Sequence, residues 1–276
     1  MHICFVDVNK HNKHIIVVRR SLAMNSPSAS VLTFQCATAA MAGGAALSLA
    51  SCLALPALSA CLSFSICTVA YINYSSMATT RLRTVKVCEK KRKTGGCGGG
   101  VWNAMQEDDF AITCLRYSDW IVTMPLLALE LLALARDGPV ALPEGFLTWT
   151  QLDAFVAFLA FSMILCGLVA LLAFEDFNTC GKDTGTVACM RWLLYFTGVA
   201  CLVGIYTILF SVSDASVSDH WVEVYGFSLT WTLYPIAFVA QMLGLEGARK
   251  DIVYTVLDII SKPLLAVYVA VASSRV

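Results

Sequence analysis

Five ionisable residues stand inside otherwise apolar stretches: Arg116, Asp119 and Glu130 in CLRYSDWIVTMPLLALELLALA, and Asp258 and Lys262 in DIVYTVLDIISKPLLAVYVAVA. At the centre of a lipid-spanning helix such a group costs at least ~2.5 kcal/mol, so it is kept for function or held as a structural pair. Asp258 and Lys262 are four residues apart and share a helix face. Lys262 sits near the middle of its run, too deep for its stem to carry an ammonium to either surface. Desolvation disfavours the charged amine, and a buried neutral lysine is a nucleophile suited to imine formation with an aldehyde. A protonated imine then needs an anion, and Asp258 is one turn away. Pro263 removes a backbone donor next to the lysine, which leaves the Ile259 carbonyl unpaired and distorts the helix there.

In the other charged stretch Arg116, Asp119 and Thr123 follow one helix face. Glu130 lies eleven residues beyond Asp119, about three turns and ~16 Å along the axis on nearly the same face. Two carboxylates at different depths with apolar residues between them are the layout of a stepwise proton path. Glu130, among Leu126, Leu127, Leu129 and Leu131, is expected to stay protonated as a donor, and Asp119, beside Arg116, to stay ionised. In LTWTLYPIAF, Trp231, Tyr234, Pro235 and Phe238 fall at i, i+3, i+4 and i+7. Alone, that stripe is ordinary helix packing. Beside a buried imine-forming lysine it becomes a wall for a long conjugated ligand, with Trp120 as a further panel.

These residues need elements to position them, and composition says which. Of 276 residues 58% are hydrophobic and only 14% charged, against about 25% charged in a typical soluble chain. The 19 basic and 19 acidic residues cancel, leaving no global field to attract nucleic acid. Seven segments match the roughly 20 apolar residues that a bilayer crossing needs: 29–50, 53–79, 109–134, 150–173, 189–212, 220–243 and 252–272. The expected fold is all-α, a seven-helix transmembrane bundle over 29–273, multi-pass and embedded in a lipid bilayer. Residues 1–28 lack the apolar core of a secretory signal and are taken as a polar tail. Residues 80–108 (RLRTVKVCEKKRKTGGCGGG and its continuation) are expected to form a basic, glycine-rich loop rather than helix, and TGGCGGG lacks the Lys-Ser/Thr of a phosphate loop. Cys36, Cys52, Cys61, Cys67, Cys114, Cys166 and Cys201 fall in apolar runs and are expected to pack as small residues, while Cys88, Cys97, Cys180 and Cys189 lie in or beside loops. No cysteine pair has the spacing of a metal knuckle, and no metal site is expected.

With these residues in view, the chain resembles the microbial (type I) rhodopsins from about residue 29 to 272. RYSDWIVTMPLLALE resembles the family's third-helix signature, WTLYP its sixth-helix retinal pocket, and LDIISK its seventh-helix counterion and retinal lysine. The resemblance implies all-trans retinal bound to Lys262 as a protonated Schiff base. It assigns Asp119 as primary proton acceptor and counterion, Asp258 as second counterion, Arg116 as the gate toward the release side, Thr123 as the hydroxyl partner of Asp119, and Glu130 as the cytoplasmic proton donor. Asp, Thr and Glu at 119, 123 and 130 are the combination of proteorhodopsin-like outward proton pumps. Leu127 matches the position where green-absorbing members carry leucine. AYINYSSM puts Tyr74 near Asp258.

Two departures stand out. Asn73 occupies the position where proteorhodopsins carry a histidine bonded to the acceptor. Lys250 sits where some relatives have a glutamate, and Glu246, in the loop before the seventh helix, is a release-group candidate. Orientation conflicts as well. The family places its N-terminus outside, which would put 15 of the 19 basic residues there, against the preference of basic residues for cytoplasmic loops. The resemblance favours translocation of the basic loop over an inverted insertion, which would move protons inward. The expected function is a photoreceptor acting as a light-driven proton pump rather than an enzyme, working on protons as a homo-oligomer. A light-gated cation channel and a sensory rhodopsin signalling to a separate partner are the alternatives. Glu130 separates them, because neither rival needs fast internal reprotonation.

Overall fold

The computed structural model describes residues 27–54, 58–93, 99–137, 150–180, 185–216, 221–245 and 247–273. Nearly all of the N-terminal tail, Cys97 and Glu246 lie outside them. The described residues are helical, in the order α1 (Pro27–Ala54), α2 (Leu58–Lys93), α3 (Gly99–Asp137), α4 (Gln151–Cys180), α5 (Gly185–Ser216), α6 (Trp221–Met242), α7 (Gly247–Ser261) and α8 (Pro263–Ser273). The last two are halves of one rod, so seven rods form the bundle. Sequence neighbours pack on one another, and α1 closes the ring against α7 and α8. The central helix is α3, which also touches α5 and α6. Among the described residues five helical stretches are long and apolar enough to cross a membrane by length and composition, among them Asp108–Arg136 and the joined rod Gly247–Ala272.

Local chemistry sets the ends. At the start of α4 Thr150 and Asp153 form a reciprocal cap: the Asp153 amide donates to Thr150 Oγ1 at 3.2 Å, and the Thr150 amide to Asp153 Oδ2 at 2.8 Å. The end of α6 closes with the Leu245 amide on the Ala240 carbonyl at 2.9 Å, and Gly244 there takes a φ of 107° that a side chain would resist. Leucine, phenylalanine and valine on the outer faces of α4 and α5, such as Phe158, Leu193 and Phe196, are exposed, as expected where lipid replaces water.

Two expectations require correction. The segment 80–108 is mostly helix: α2 continues through Lys93 and α3 starts at Gly99. RLRTVKVCEKKRK is rich in good helix formers and contains no breaker, and its first turns are anchored because Arg81 and Thr84 are buried. Cys52 and Cys61 are not mere packing residues. They form a disulfide between the end of α1 and the start of α2, with Cα atoms 5.7 Å apart. Lys250 in α7 is buried as well as Lys262.

Candidate functional site

The break between α7 and α8 falls on Lys262, a turn residue between Ser261 and Pro263. The Lys262 amide still donates to the Asp258 carbonyl at 3.0 Å, and the Ala266 amide to the Lys262 carbonyl at 2.9 Å. The rod therefore bends without separating, as a proline after the lysine dictates. Glycine makes room on the other side: a Cβ on Gly44 of α1 would lie 2.9 Å from Cys67 Sγ and 3.2 Å from the Pro263 Cα.

Lys262 Nζ is fully buried between two carboxylates, paired with Asp119 Oδ2 and 3.3 Å from Asp258 Oδ1. An imine formed on this nitrogen would lie between the same two carboxylates. The carboxylates are not equivalent. Asp258 accepts from Tyr74 Oη at 2.5 Å, Tyr234 Oη at 2.6 Å and Trp120 Nε1 at 3.1 Å. Asp119 Oδ1, by contrast, has no hydrogen-bond partner among the described residues. Thr123 does not reach the Asp119 carboxylate. Its hydroxyl donates to the Asp119 main-chain carbonyl at 3.0 Å, the usual choice of a mid-helix threonine.

Next to this group lies a cavity walled by Trp120, Met124, Trp231, Tyr234, Pro235 and Phe238. Trp120 and Tyr234 line it and also donate to Asp258, so one end of the cavity opens at the lysine's carboxylates. Gly167 and Gly198 keep it wide, since a Cβ on Gly167 would lie 3.3 Å from Tyr117 Oη. The slot is lined largely by aromatic rings, faces on which a conjugated chain would stack. Leu127 is buried in the core and is not part of this wall.

Glu130 is 1% exposed, and Ser63 of α2 donates its hydroxyl to Glu130 Oε1. Arg116 is buried but bonded to neither Asp119 nor Asp258. Its Nη2 meets Asp251 Oδ1 at 3.2 Å, and its guanidinium lies over the Tyr254 ring at 5.1 Å. Asn73 takes a hydrogen bond from Ser118 at 3.2 Å. Asp251, Arg81, Asp109 and Ser63 are the polar residues the sequence reading passed over. Two of them carried a signal: Asp251 precedes Asp258 by seven residues and Arg81 follows Tyr74 by seven, each on its partner's face. Ser63 carried none, because buried helical serines are common.

A buried lysine between carboxylates, an aromatic slot and seven rods together define a seven-helix retinal-binding membrane protein. A family model described as "Bacteriorhodopsin-like protein" matches residues 28–273, and the chain belongs to that family, an integral multi-pass membrane family whose retinal is held on a lysine as a Schiff base. It is 35% identical over 158 residues to Opsin-1 of Neurospora crassa, covering 54% of this chain and 45% of that protein. It is 30% identical over 153 residues to Bacteriorhodopsin-I of Haloquadratum walsbyi, covering 53% of each. The matched stretch thus spans about half the length of these curated relatives. Its fold is similar to that of xanthorhodopsin, "a Light-Driven Ion Pump with Dual Chromophore", with a TM-score of 0.65 at 19% identity over 90% of this chain and 93% of that one. It is also similar to the light-driven proton pump of Coccomyxa subellipsoidea, with a TM-score of 0.60 at 18% identity over 88% and 96% of the two chains.

Proposed function

We propose that this chain is a light-driven proton pump carrying all-trans retinal on Lys262. The observation that carries the reading is Glu130: a buried carboxyl with its own hydroxyl donor, three turns from Asp119 and walled off by leucines. A protein that only senses light or opens a pore has no use for such an internal acid.

Retinal on Lys262 supplies a light-triggered change in the position and basicity of the imine proton. The protein's residues do the rest. Asp258 already accepts from Tyr74, Tyr234 and Trp120, so its oxygens are occupied by protein donors. Asp119 has a free oxygen and pairs directly with Nζ, so it takes the proton. Glu130 then returns one from the opposite side, faster than bulk water can cross a dry half-channel. Trp231, Pro235 and Phe238 orient the chromophore, and the exclusion of water by the leucines around Glu130 keeps the two half-paths separate. The pump works outward as a homo-oligomer in the bilayer, with its N-terminus outside.

The test is illumination of retinal-supplied cells in unbuffered medium. Acidification that a protonophore abolishes supports the pump. Passive light-gated currents that reverse with the ion gradient would replace it with a channel, and light without any proton movement would replace it with a sensor.

A further inference from the structure

The half of the bundle beyond Asp119 from Glu130 contains a buried charge cluster that the pumping steps above do not use. Asp251 is completely buried, and three other rods converge on it. Arg81 of α2 reaches Asp251 Oδ2 at 3.0 Å, Arg116 of α3 reaches Oδ1 at 3.2 Å, and Ser30 of α1 donates to it from the third side. Arg81 also bridges to Asp109 of α3 at 2.5 Å, and Asp109 is 38% exposed. Lys250 lies buried beside them on α7. Buried carboxylates are tolerated when paired in this way, and removing one partner leaves an uncompensated charge. Each carboxylate oxygen of Asp251 is thus assigned to a different arginine.

We propose that Asp251 is a positioning residue for Arg116. With Arg81 behind it, it clamps the Arg116 guanidinium over Tyr254 on the outer side, away from Asp119, and so sets how strongly Asp119 is held ionised in the dark. The clamp has a mechanical consequence. Arg116 cannot follow the loss of charge on Asp119, so the accepted proton stays on Asp119 until that residue is emptied, and release to the medium comes late. The release timing rests on the pumping reading; the dark-state effect does not.

The test is the acid-induced colour change of the retinal-loaded protein in the dark, which reports protonation of Asp119. The groups facing Asp119 are Lys262 and Asp258 from the α7–α8 rod, Cys67 and Tyr74 from α2, and Arg116 on its own helix. Asp251→Asn frees Arg116 to move inward, and the transition should shift to lower pH by about one unit or more, a tenfold change in proton concentration. Asp251→Glu should restore it. In an Arg116→Gln background the Asp251→Asn shift should nearly vanish, because the effect acts through Arg116. A shift of equal size in that background would mean that Asp251 acts through its own charge alone and would overturn the proposal, as would an unmoved transition in the single variant. If Asp251→Asn does not fold, the unaltered protein decides. A pH-indicator dye should report release with recovery of the dark spectrum, and release preceding that recovery would overturn the clamp. A protein that does not pump but shows the Arg116-dependent titration shift would lose the pumping reading and keep the clamp.

Discussion

Lys262 Nζ has two carboxylates within reach, and their different surroundings give each variant a distinct signature. Lys262→Ala should abolish the visible band with added retinal, and a surviving red-shifted band would remove the chromophore assignment. Asp119→Asn takes away the anion paired directly with the nitrogen, so the band should shift to the red and transport should stop; a variant that still acidifies the medium places the acceptor elsewhere. Spacing in the sequence revealed the lysine, both aspartates and Glu130, because a charge in an apolar run is conspicuous and helical periodicity assigns it a face. The partners were less legible. Helical spacing gives a face but not a hydrogen-bond acceptor, and the Thr123 hydroxyl donates to the Asp119 main-chain carbonyl rather than to its carboxylate.

Among the elements, α3 carries the proposed relay and α2 supplies the groups that tune it. Glu130→Gln should leave the dark spectrum almost unchanged and slow recovery of the visible band after a flash by about tenfold or more, with a new dependence on bulk pH. Ser63→Ala should slow the same recovery by less, since it removes a donor to Glu130 and leaves the acid in place. Flash spectroscopy across pH checks both, and unchanged recovery in the glutamine variant would make Glu130 a structural acid. Packing makes a separate demand where α1 crosses the kink. Gly44→Val pushes a side chain into Pro263 backbone and Cys67, so it should cost about 1–3 kcal/mol, read as a lower midpoint for thermal loss of the visible band. The rods were legible because runs of about 20 apolar residues have few alternatives. The helical continuation of α2 through its basic stretch was not, since charge density alone does not distinguish a loop from a helix that has left the lipid.

Topology and transport direction belong to the whole molecule. An epitope inserted between Gly95 and Gly96 should be detected on intact cells if the N-terminus is outside; detection only after permeabilisation means inverted insertion, and illumination should then alkalinise the medium. The length of α2 and α3 bears on the shape that any such insertion must have. At 1.5 Å per residue their 36 and 39 residues amount to rods of about 54 and 58 Å, against a hydrocarbon core of about 30 Å. Twelve residues of α2 lie beyond Arg81 and ten of α3 beyond Asp109, about 18 and 15 Å, so the paired helices extend past the buried charge cluster on one face. In a reconstituted sheet of this protein that extension would stand on the side of the α2–α3 connection. Force microscopy could sort the two orientations by height alone, molecule by molecule, without a label or a photon.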